Sequence, residues 1–233
     1  TTSGGSPTAW TPDADLNLKA GTCAGEDLDG TSGCCNILIG QCAGREMTSG
    51  SLNIAIGKLA LGNGVVTSSV NIAVGRCAGY DLTSGGYNSI FGESAGRKLT
   101  YGDNNTLIGA FAGWNISTGG GNIALGRETL GGFGGHSVDM TGNDNIGLGY
   151  RAGWNVTSGT DNIIAGCKAG IGQTNANDNI IMGRCAGYNV NAYPNAYCGG
   201  EGYGCQNVII GSNAGIGYTA HDRIVAIGYQ AGK

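Results

Sequence analysis

The chain has 233 residues and a net charge of −4; 48 residues are glycine, three are proline and 12 % are charged. The glycines do not recur at every third position and proline is scarce, which excludes collagen, so this bias indicates another periodic architecture. The 12 lysines and arginines form no basic run and no apolar stretch reaches about 18 residues, so neither a nucleic-acid partner nor a membrane span is expected.

The first 16 residues precede the periodic part of the chain and form a predicted N-terminal tail. They include neither an initiator Met nor a signal-like apolar segment, which indicates a processed or trimmed product. Further along, nine cysteines occur without zinc-type spacing, which favours an oxidising, extracellular setting.

From residue 17 onward one repeat, N-x-x-x-G-x-x-A-G, recurs twelve times, and its Asn is position 0 here. Position +4 is always glycine, and position +7 is alanine except at Thr129. Seven of the eleven intervals between repeats are 17 residues, and the two longest place insertions near 131–143 and 191–206. The residues at position 0 are Asn17, Asn36, Asn53, Asn71, Asn88, Asn105, Asn122, Asn145, Asn162, Asn179, Asn207 and Ile224.

Each repeat contains its own strand and turn signals. Positions +1 to +3 are β-branched or aliphatic, which predicts a short strand, and an aliphatic residue at +11 predicts a second one. Glycine at +4 and +8 permits positive φ or close backbone approach. Because a 17-residue unit is too short for a two-helix repeat, we predict an all-β fold: a single parallel β-solenoid, or β-roll, of about twelve 17-residue coils over residues 17–233 with two loop insertions.

In such a solenoid, each repeat position stacks on itself at about 4.8 Å. The asparagines at position 0 would then form a ladder of side-chain amides, and the aliphatic columns would form the core. Twelve coils at this spacing predict a rod about 55 to 60 Å long.

The stretch GESAG at 92–96 matches the G-x-S-x-G pattern of a hydrolase nucleophile elbow. In the repeat frame its two glycines and its alanine are the residues at +4, +7 and +8, and Ser94 fills the variable position +6. A catalytic serine also needs a base, and the only histidines, His136 and His221, fall in turn or insertion contexts. We therefore predict no catalytic residue and no enzyme.

Several repeats resemble those of a known family. The strings NIAVG at 71–75, NSIFG at 88–92 and IVAIG at 224–228 resemble repeats of trimeric autotransporter adhesin heads of the YadA type. The longer string NTLIGAFAGWNISTG, which starts at Asn105, is similar to repeats of phage tail-fibre and bacterial surface-fibre proteins. The resemblance covers residues 17–233 and implies left-handed parallel β-rolls, usually trimeric, that act as stalks and adhesive heads.

The two ends of the chain are complementary in the repeat frame. The last repeat stops at Lys233, position +9, and lacks seven positions that the seven residues before Asn17 would supply. Because an uncapped solenoid exposes unpaired backbone, we expect one copy's tail to complete another copy's terminal coil, giving a head-to-tail filament. The alternative is a flexible tail over 1–16 and a processing boundary at Lys233. The predicted donor residues are Trp10, Thr11, Pro12, Asp13, Ala14, Asp15 and Leu16.

Three disulfides are candidates because their cysteines fall on the same or neighbouring coils, or within one insertion. The alternative for each pair is two small cysteines that fill a core column. The candidate pairs are Cys23–Cys42, Cys167–Cys185 and Cys198–Cys205.

Position +9 is aromatic on every second coil, and this row can stack on a glycan or pack against another rod. The alternative is that these residues cover the turn below them. The row consists of Tyr80, Trp114, Trp154 and Tyr188. Three N-x-S/T sequons, at Asn104, Asn115 and Asn155, are glycosylation candidates.

Asp144, Asp161 and Asp178 precede position 0 on three successive coils, so their charges would stack about 4.8 Å apart. A calcium ion would relieve this repulsion. The alternative is that each Asp bonds its own turn backbone. No other cofactor is expected.

Together these patterns predict a secreted or cell-surface structural protein, a subunit of an extracellular fibre or surface appendage whose partner is itself. The alternative is a carbohydrate-binding adhesin or tail-fibre module, including a trimeric one, whose partners are glycans. A threonine column at +12 raises a third class, an ice- or crystal-binding face, although Val65 and other residues interrupt it.

Overall fold

The structure is a computed structural model that describes residues 12–28, 33–131, 139–172, 175–188, 205–216 and 222–232. These ranges contain twelve three-residue strands, one per repeat, and no helix, so they hold no helical segment that could cross a membrane. The strands are β1 (Leu18–Ala20), β2 (Ile37–Ile39), β3 (Ile54–Ile56), β4 (Ile72–Val74), β5 (Ser89–Phe91), β6 (Thr106–Ile108), β7 (Ile123–Leu125), β8 (Ile146–Leu148), β9 (Ile163–Ala165), β10 (Ile180–Met182), β11 (Val208–Ile210) and β12 (Val225–Ile227).

The strands form one parallel sheet in chain order, and each pairs only with its neighbours in sequence. The register joins equal repeat positions, so Ile37 lies beside Ile54 and Ile54 beside Ile72. The prediction of an all-β parallel solenoid is therefore confirmed. Eleven inter-strand steps of about 4.8 Å make the sheet about 53 Å long.

Each strand alternates between the interior and the surface of the rod. The central residue at +2, such as Leu38 or Ile90, is fully buried, while the residues at +1 and +3 point outward and are half-buried or exposed. The core consists of the +2 column, the alanines at +7 and the large aliphatic residues near +11.

The prediction of a second strand at +11 was wrong. Met47, Leu82 and Leu99 are fully buried as expected, but they directly follow turns and belong to no strand, and the described residues contain only one isolated bridge outside the sheet, Ile116 with Met140. After each strand the chain reverses through two consecutive turns, which in the second repeat close with N–H···O=C bonds of 3.2 Å at Ala43 and Met47. The segment after these turns forms no second strand in the described residues, although its backbone bonds from coil to coil, as where the Thr83 N–H donates to the Thr100 carbonyl at 3.1 Å.

Glycine at +4 is required twice over. Gly92 has a φ of +132°, a conformation that residues with a Cβ rarely adopt. A Cβ built on Gly92 would lie 2.6 Å from the carbonyl oxygen of Gly109 on the next coil. The coils therefore stack too closely at this column for any other residue.

Two coils have a leucine at +8, where the other ten have glycine, and the repeat pattern does not predict this exchange. Leu61 and Leu130 are fully buried with φ of 49° and 44°. A Cβ on Gly147, a glycine at the core position +2, would lie 2.7 Å from Cγ of Leu130. The leucine thus fills core volume that a small +2 residue leaves open.

Candidate assembly and binding surfaces

The predicted asparagine ladder is present, and it joins neighbouring coils. Oδ1 of Asn88 accepts the backbone N–H of Asn105 at 2.9 Å and its Nδ2 at 3.0 Å. Nδ2 of Asn105 also donates to the carbonyl of Gly119 at 3.0 Å, which closes its own coil. The asparagines at position 0 are at most 2 % exposed. Each amide therefore satisfies buried backbone groups both within a coil and between coils.

The N-terminal end of the ladder is capped by Asp13. Inside the rod, the N–H of Asn36 donates to Oδ1 of Asn17, and the carbonyl of Asn36 accepts from Leu18 on the preceding coil. At Asn17 both bonds go to Asp13 instead, with Oδ1 accepting at 2.8 Å and the Asp13 N–H donating at 2.9 Å. Asp13 thus replaces a preceding coil at this edge.

The core also ends in a charged residue at this end. Lys19 occupies the +2 position of β1 but is exposed, and its Nζ lies 3.0 Å from Oδ2 of Asp13. Partial burial works to raise the pKa of Asp13, but the hydrogen bonds from the Asn17 amide and from Lys19 outweigh it, and the pKa lies below its ordinary value. A polar terminal repeat of this kind keeps a solenoid core from open solvent.

The C-terminal end lacks such a cap within the described residues. The ladder ends at Ile224, whose N–H donates to Oδ1 of Asn207 at 2.8 Å. Val225, Ile227 and Tyr229 of the last coil are 70 %, 63 % and 73 % exposed. Strand β12 pairs only with β11, so its other edge is open in the described structure.

The structure describes only part of the predicted donor segment. Asp15 and Leu16 follow the path of a preceding coil, because Leu16 has the left-handed φ of 63° found before position 0 and the Asp15 carbonyl accepts the N–H of Cys35 at 3.1 Å. Trp10, Thr11 and Lys233 lie outside the described residues, as do residues 132–138 and 191–204 of the predicted insertions.

The outward side chains at the first and third positions of β1 to β12 form one continuous surface, the outer sheet face. Of these 24 positions only two are polar, Ser89 and Thr106, and the other 22 are apolar. Along the column of third positions, Phe91 and Ile108 are 37 % and 43 % exposed. An apolar strip therefore runs along the full length of the sheet.

The predicted aromatic row is half-buried, and three of its four rings carry a cation. The side chains of Arg97, Lys98 and Arg151 lie 4.9 to 5.1 Å from the ring centroids of Tyr80, Trp114 and Trp154 in turn. Tyr188 is half-buried as well. Cation–π contacts within the rod favour the alternative in which these aromatic residues cover the turn below.

A groove that sequence reasoning missed lies on the turn side. Its volume is about 410 Å³, and it surrounds the pair Gly120 and Gly121, whose equivalents on the two neighbouring coils are larger polar residues. A Cβ on Gly121 would lie 2.2 Å from Oδ1 of Asp144, so this glycine keeps the groove open. The groove is lined by Tyr101, Asp103, Asn104, Thr118, Asn143 and Asp144.

The predicted calcium ligands are exposed turn residues. Asp144, Asp161 and Asp178 have φ of 56° to 57°, and the N–H of Asp161 donates to the carbonyl of Asn143 on the coil before. Across the described ranges, no three acidic, histidine or cysteine side chains are arranged to hold a metal ion. The turn interpretation accounts for their conformation, and the calcium site stays an untested prediction.

Four of the six candidate disulfide cysteines, Cys23, Cys42, Cys167 and Cys185, are free thiols. A hydrogen bond to Glu26, partial burial and the proximity of Cys42 raise the pKa of Cys23. Cys205 is disulfide-bonded, and Cys198 lies outside the described residues. No disulfide joins Cys23 to Cys42 or Cys167 to Cys185 in the structure, and both pairings stay predictions.

The three sequons differ in accessibility: Asn104 is exposed, Asn155 is half-buried and Asn115 is 2 % exposed. Asn104 is therefore the sequon best placed to carry a glycan on the folded rod. Ser94, the serine of the GESAG stretch, is 3 % exposed and donates its backbone N–H to the carbonyl of Arg76 at 2.8 Å.

A buried ion-pair cluster was also missed, because its members belong to variable positions of the repeat. Glu128 is 1 % exposed and contacts Arg127 at 2.8 Å and Arg151 at 2.6 Å. Two cations thus neutralise one buried carboxylate and tie the seventh coil to the eighth.

Comparison of the chain with protein-family models, curated proteins and solved structures finds no match. The likeness to YadA-type heads and tail-fibre repeats therefore rests on the repeat strings alone and stays a prediction.

Proposed function

We propose that this chain is a structural subunit of an extracellular fibre or surface appendage, assembled from copies of itself. The observation that carries the proposal is the unbroken asparagine ladder beside a single twelve-stranded sheet. Every inner coil is bonded to both neighbours by the same groups, which makes a rod whose length is set by the number of repeats. Nine cysteines without zinc-type spacing favour the extracellular setting.

The proposed assembly is head to tail. At one end, the open edge of β12 carries the N–H of Val225. In inner coils the equivalent N–H donates to the position-0 carbonyl of the next coil. At the other end, the N–H of Gly21 has no partner in the described residues, whereas the equivalent Gly40 donates to Ala20 at 2.7 Å. Joining the two edges requires Asp13 to release the carbonyl of Asn17. The Asp13 turn therefore competes with a second copy for this edge.

Two substitutions test this assembly by electron microscopy of the full chain. Val225→Pro removes the edge N–H from a terminal strand, where proline is tolerated, and should reduce filaments to single rods. Val225→Thr keeps the N–H and should leave filament length unchanged. Asp13→Ala removes the side-chain oxygen that anchors the Asp13 turn to the Asn17 N–H, which should make release of the Asn17 carbonyl easier and lengthen filaments. Equal filament lengths for the Val225→Pro variant and the wild type would refute head-to-tail assembly through β12.

A second candidate function, carbohydrate binding, is favoured by the Gly120–Gly121 groove rather than by the aromatic row. The groove combines the 61 % exposed ring of Tyr101 with carboxylates and amides, the groups that stack on sugar rings and bond their hydroxyls. On a glycan array, binding that Tyr101→Ala abolishes would support this function. Tyr87→Ala, which truncates an equally exposed tyrosine outside the groove lining, should leave that binding intact.

A further inference from the structure

The outer sheet face is long, narrow and almost free of polar groups. It spans about 53 Å along the rod and about 10 Å across, because its two columns are two residues apart on each strand. Its area of about 500 Å² lies in the range of the largest apolar patch on a typical monomer, and such patches are often functional. Strand propensity alone does not account for it, since threonine satisfies the same propensity and occurs at one of the 24 positions.

None of the 24 positions carries Lys, Arg, Asp or Glu. Lys19 is the only charged residue in the twelve strands. It occupies the central position of β1 and does not belong to the face. Covering the face therefore removes apolar surface from water without desolvating a charge.

We propose that the outer sheet face of one rod packs against the same face of a second copy, so that two rods lie side by side. A strip of about 53 by 10 Å contributes about 500 Å² from each copy, and the roughly 1,000 Å² buried in total lies at the threshold for a biological interface and above most crystal-packing contacts. The in-register strands present two outward side chains at every step, so two faces can pack as the inner faces of stacked sheets do.

The geometry favours a closed pair over a ring. The described residues form one such face, and a two-fold axis lets both copies use it, whereas a trimer needs each copy to offer two different surfaces. A two-fold pair also leaves both ends of each rod free. Side-by-side pairing is therefore independent of the head-to-tail assembly proposed above.

The test is sedimentation equilibrium of the full chain carrying Val225→Pro, which blocks end-to-end growth and keeps this terminal position of the outer sheet face apolar. We expect about twice the 23.3 kDa of the single chain. Adding Ile56→Thr, Ile108→Thr and Leu148→Thr, all on the outer sheet face, should weaken pairing at least 100-fold and return the mass to one chain. Adding Val65→Thr and Val70→Thr, the same kind of change at exposed positions off the face, should leave the pair intact.

Far-UV circular dichroism of each variant checks that the fold is retained. If the triple variant loses its fold, the single change Ile108→Lys, which places a charge near the middle of the face, provides a second test of pairing. A single-chain mass for folded Val225→Pro protein at micromolar concentrations would overturn the proposal. So would a single-chain mass combined with binding to phosphatidylcholine vesicles, which would assign the face to a lipid surface. Failure of the head-to-tail proposal would be seen separately, because electron microscopy of the wild type would then show no filaments.

Discussion

The outer sheet face and the turn side of the rod share one backbone path but differ in chemistry. On the sheet face, 22 of 24 outward residues are apolar. On the turn side, the residue before position 0 varies from Leu52 to Tyr87, Asn104 and Asp144, although all four have φ between 56° and 60°. The repeat positions whose backbone groups bond from coil to coil therefore specify the fold, while a side chain that points to solvent is free to vary. Uniformity on the sheet face therefore calls for a cause other than folding.

The largest expected effect concerns a column on which both sides depend. Gly92→Ala places a methyl group 2.6 Å from the Gly109 carbonyl oxygen and forces alanine to a φ of +132°, so we expect a loss of about 3 kcal/mol in the free energy of unfolding. The measurement is urea denaturation. Gly86→Ala, at a turn glycine without positive φ, should cost less than about 1 kcal/mol. Equal losses would show that the +4 column is not special.

The next largest effect should come from the asparagine ladder. Asn105→Ala removes the oxygen that accepts both the backbone N–H and Nδ2 of Asn122, so buried donors lose their acceptor at a cost of about 3 kcal/mol. Thermal unfolding of this variant should be compared with that of Asn104→Ala, an exposed neighbour on the turn side. If the ladder contributes nothing beyond turn propensity, the Asn105→Ala and Asn104→Ala variants will have similar melting temperatures.

A smaller effect is expected at the N-terminal cap and depends on pH. The pKa of Asp13 is lowered in the folded chain, so its ionised form adds stability at pH values above its unfolded pKa, about 3.9. That stability is lost as the pH falls through the lowered folded pKa. Asp13→Asn keeps Oδ1 but not the charge, so the stability difference from wild type should shrink below about pH 4. A difference that is constant from pH 7 to pH 2.5 would contradict the ionised cap.

The smallest effect should be a gain. Leu52 is 57 % exposed with a φ of 59°, and asparagine tolerates this left-handed conformation better than leucine does. We expect Leu52→Asn to raise the free energy of unfolding by about 0.5 kcal/mol in urea titrations. Val65→Asn, at an exposed residue without positive φ, should give no gain. A loss of stability at Leu52 would show that its side chain is not free to vary.

The repeat made the strands, their parallel register and the ladder predictable, because equal positions must stack when one coil follows another. The second strand was not excluded by the pattern, since a buried aliphatic residue such as Met47 has the same sequence signal in a strand and in the irregular segment after a turn. The Asp13 cap was also missed. It depends on hydrogen bonds of a segment outside the repeat frame. Leu130 escaped prediction because it compensates for Gly147, a residue 17 positions further along the chain.

The most direct test of the central claim, that this rod is a self-assembling structural subunit, is electron microscopy of the full chain at increasing concentration. Our account predicts unbranched filaments with an axial repeat of about 55 to 60 Å, the length of twelve coils at about 4.8 Å each. Isolated rods of that length at every concentration would contradict it.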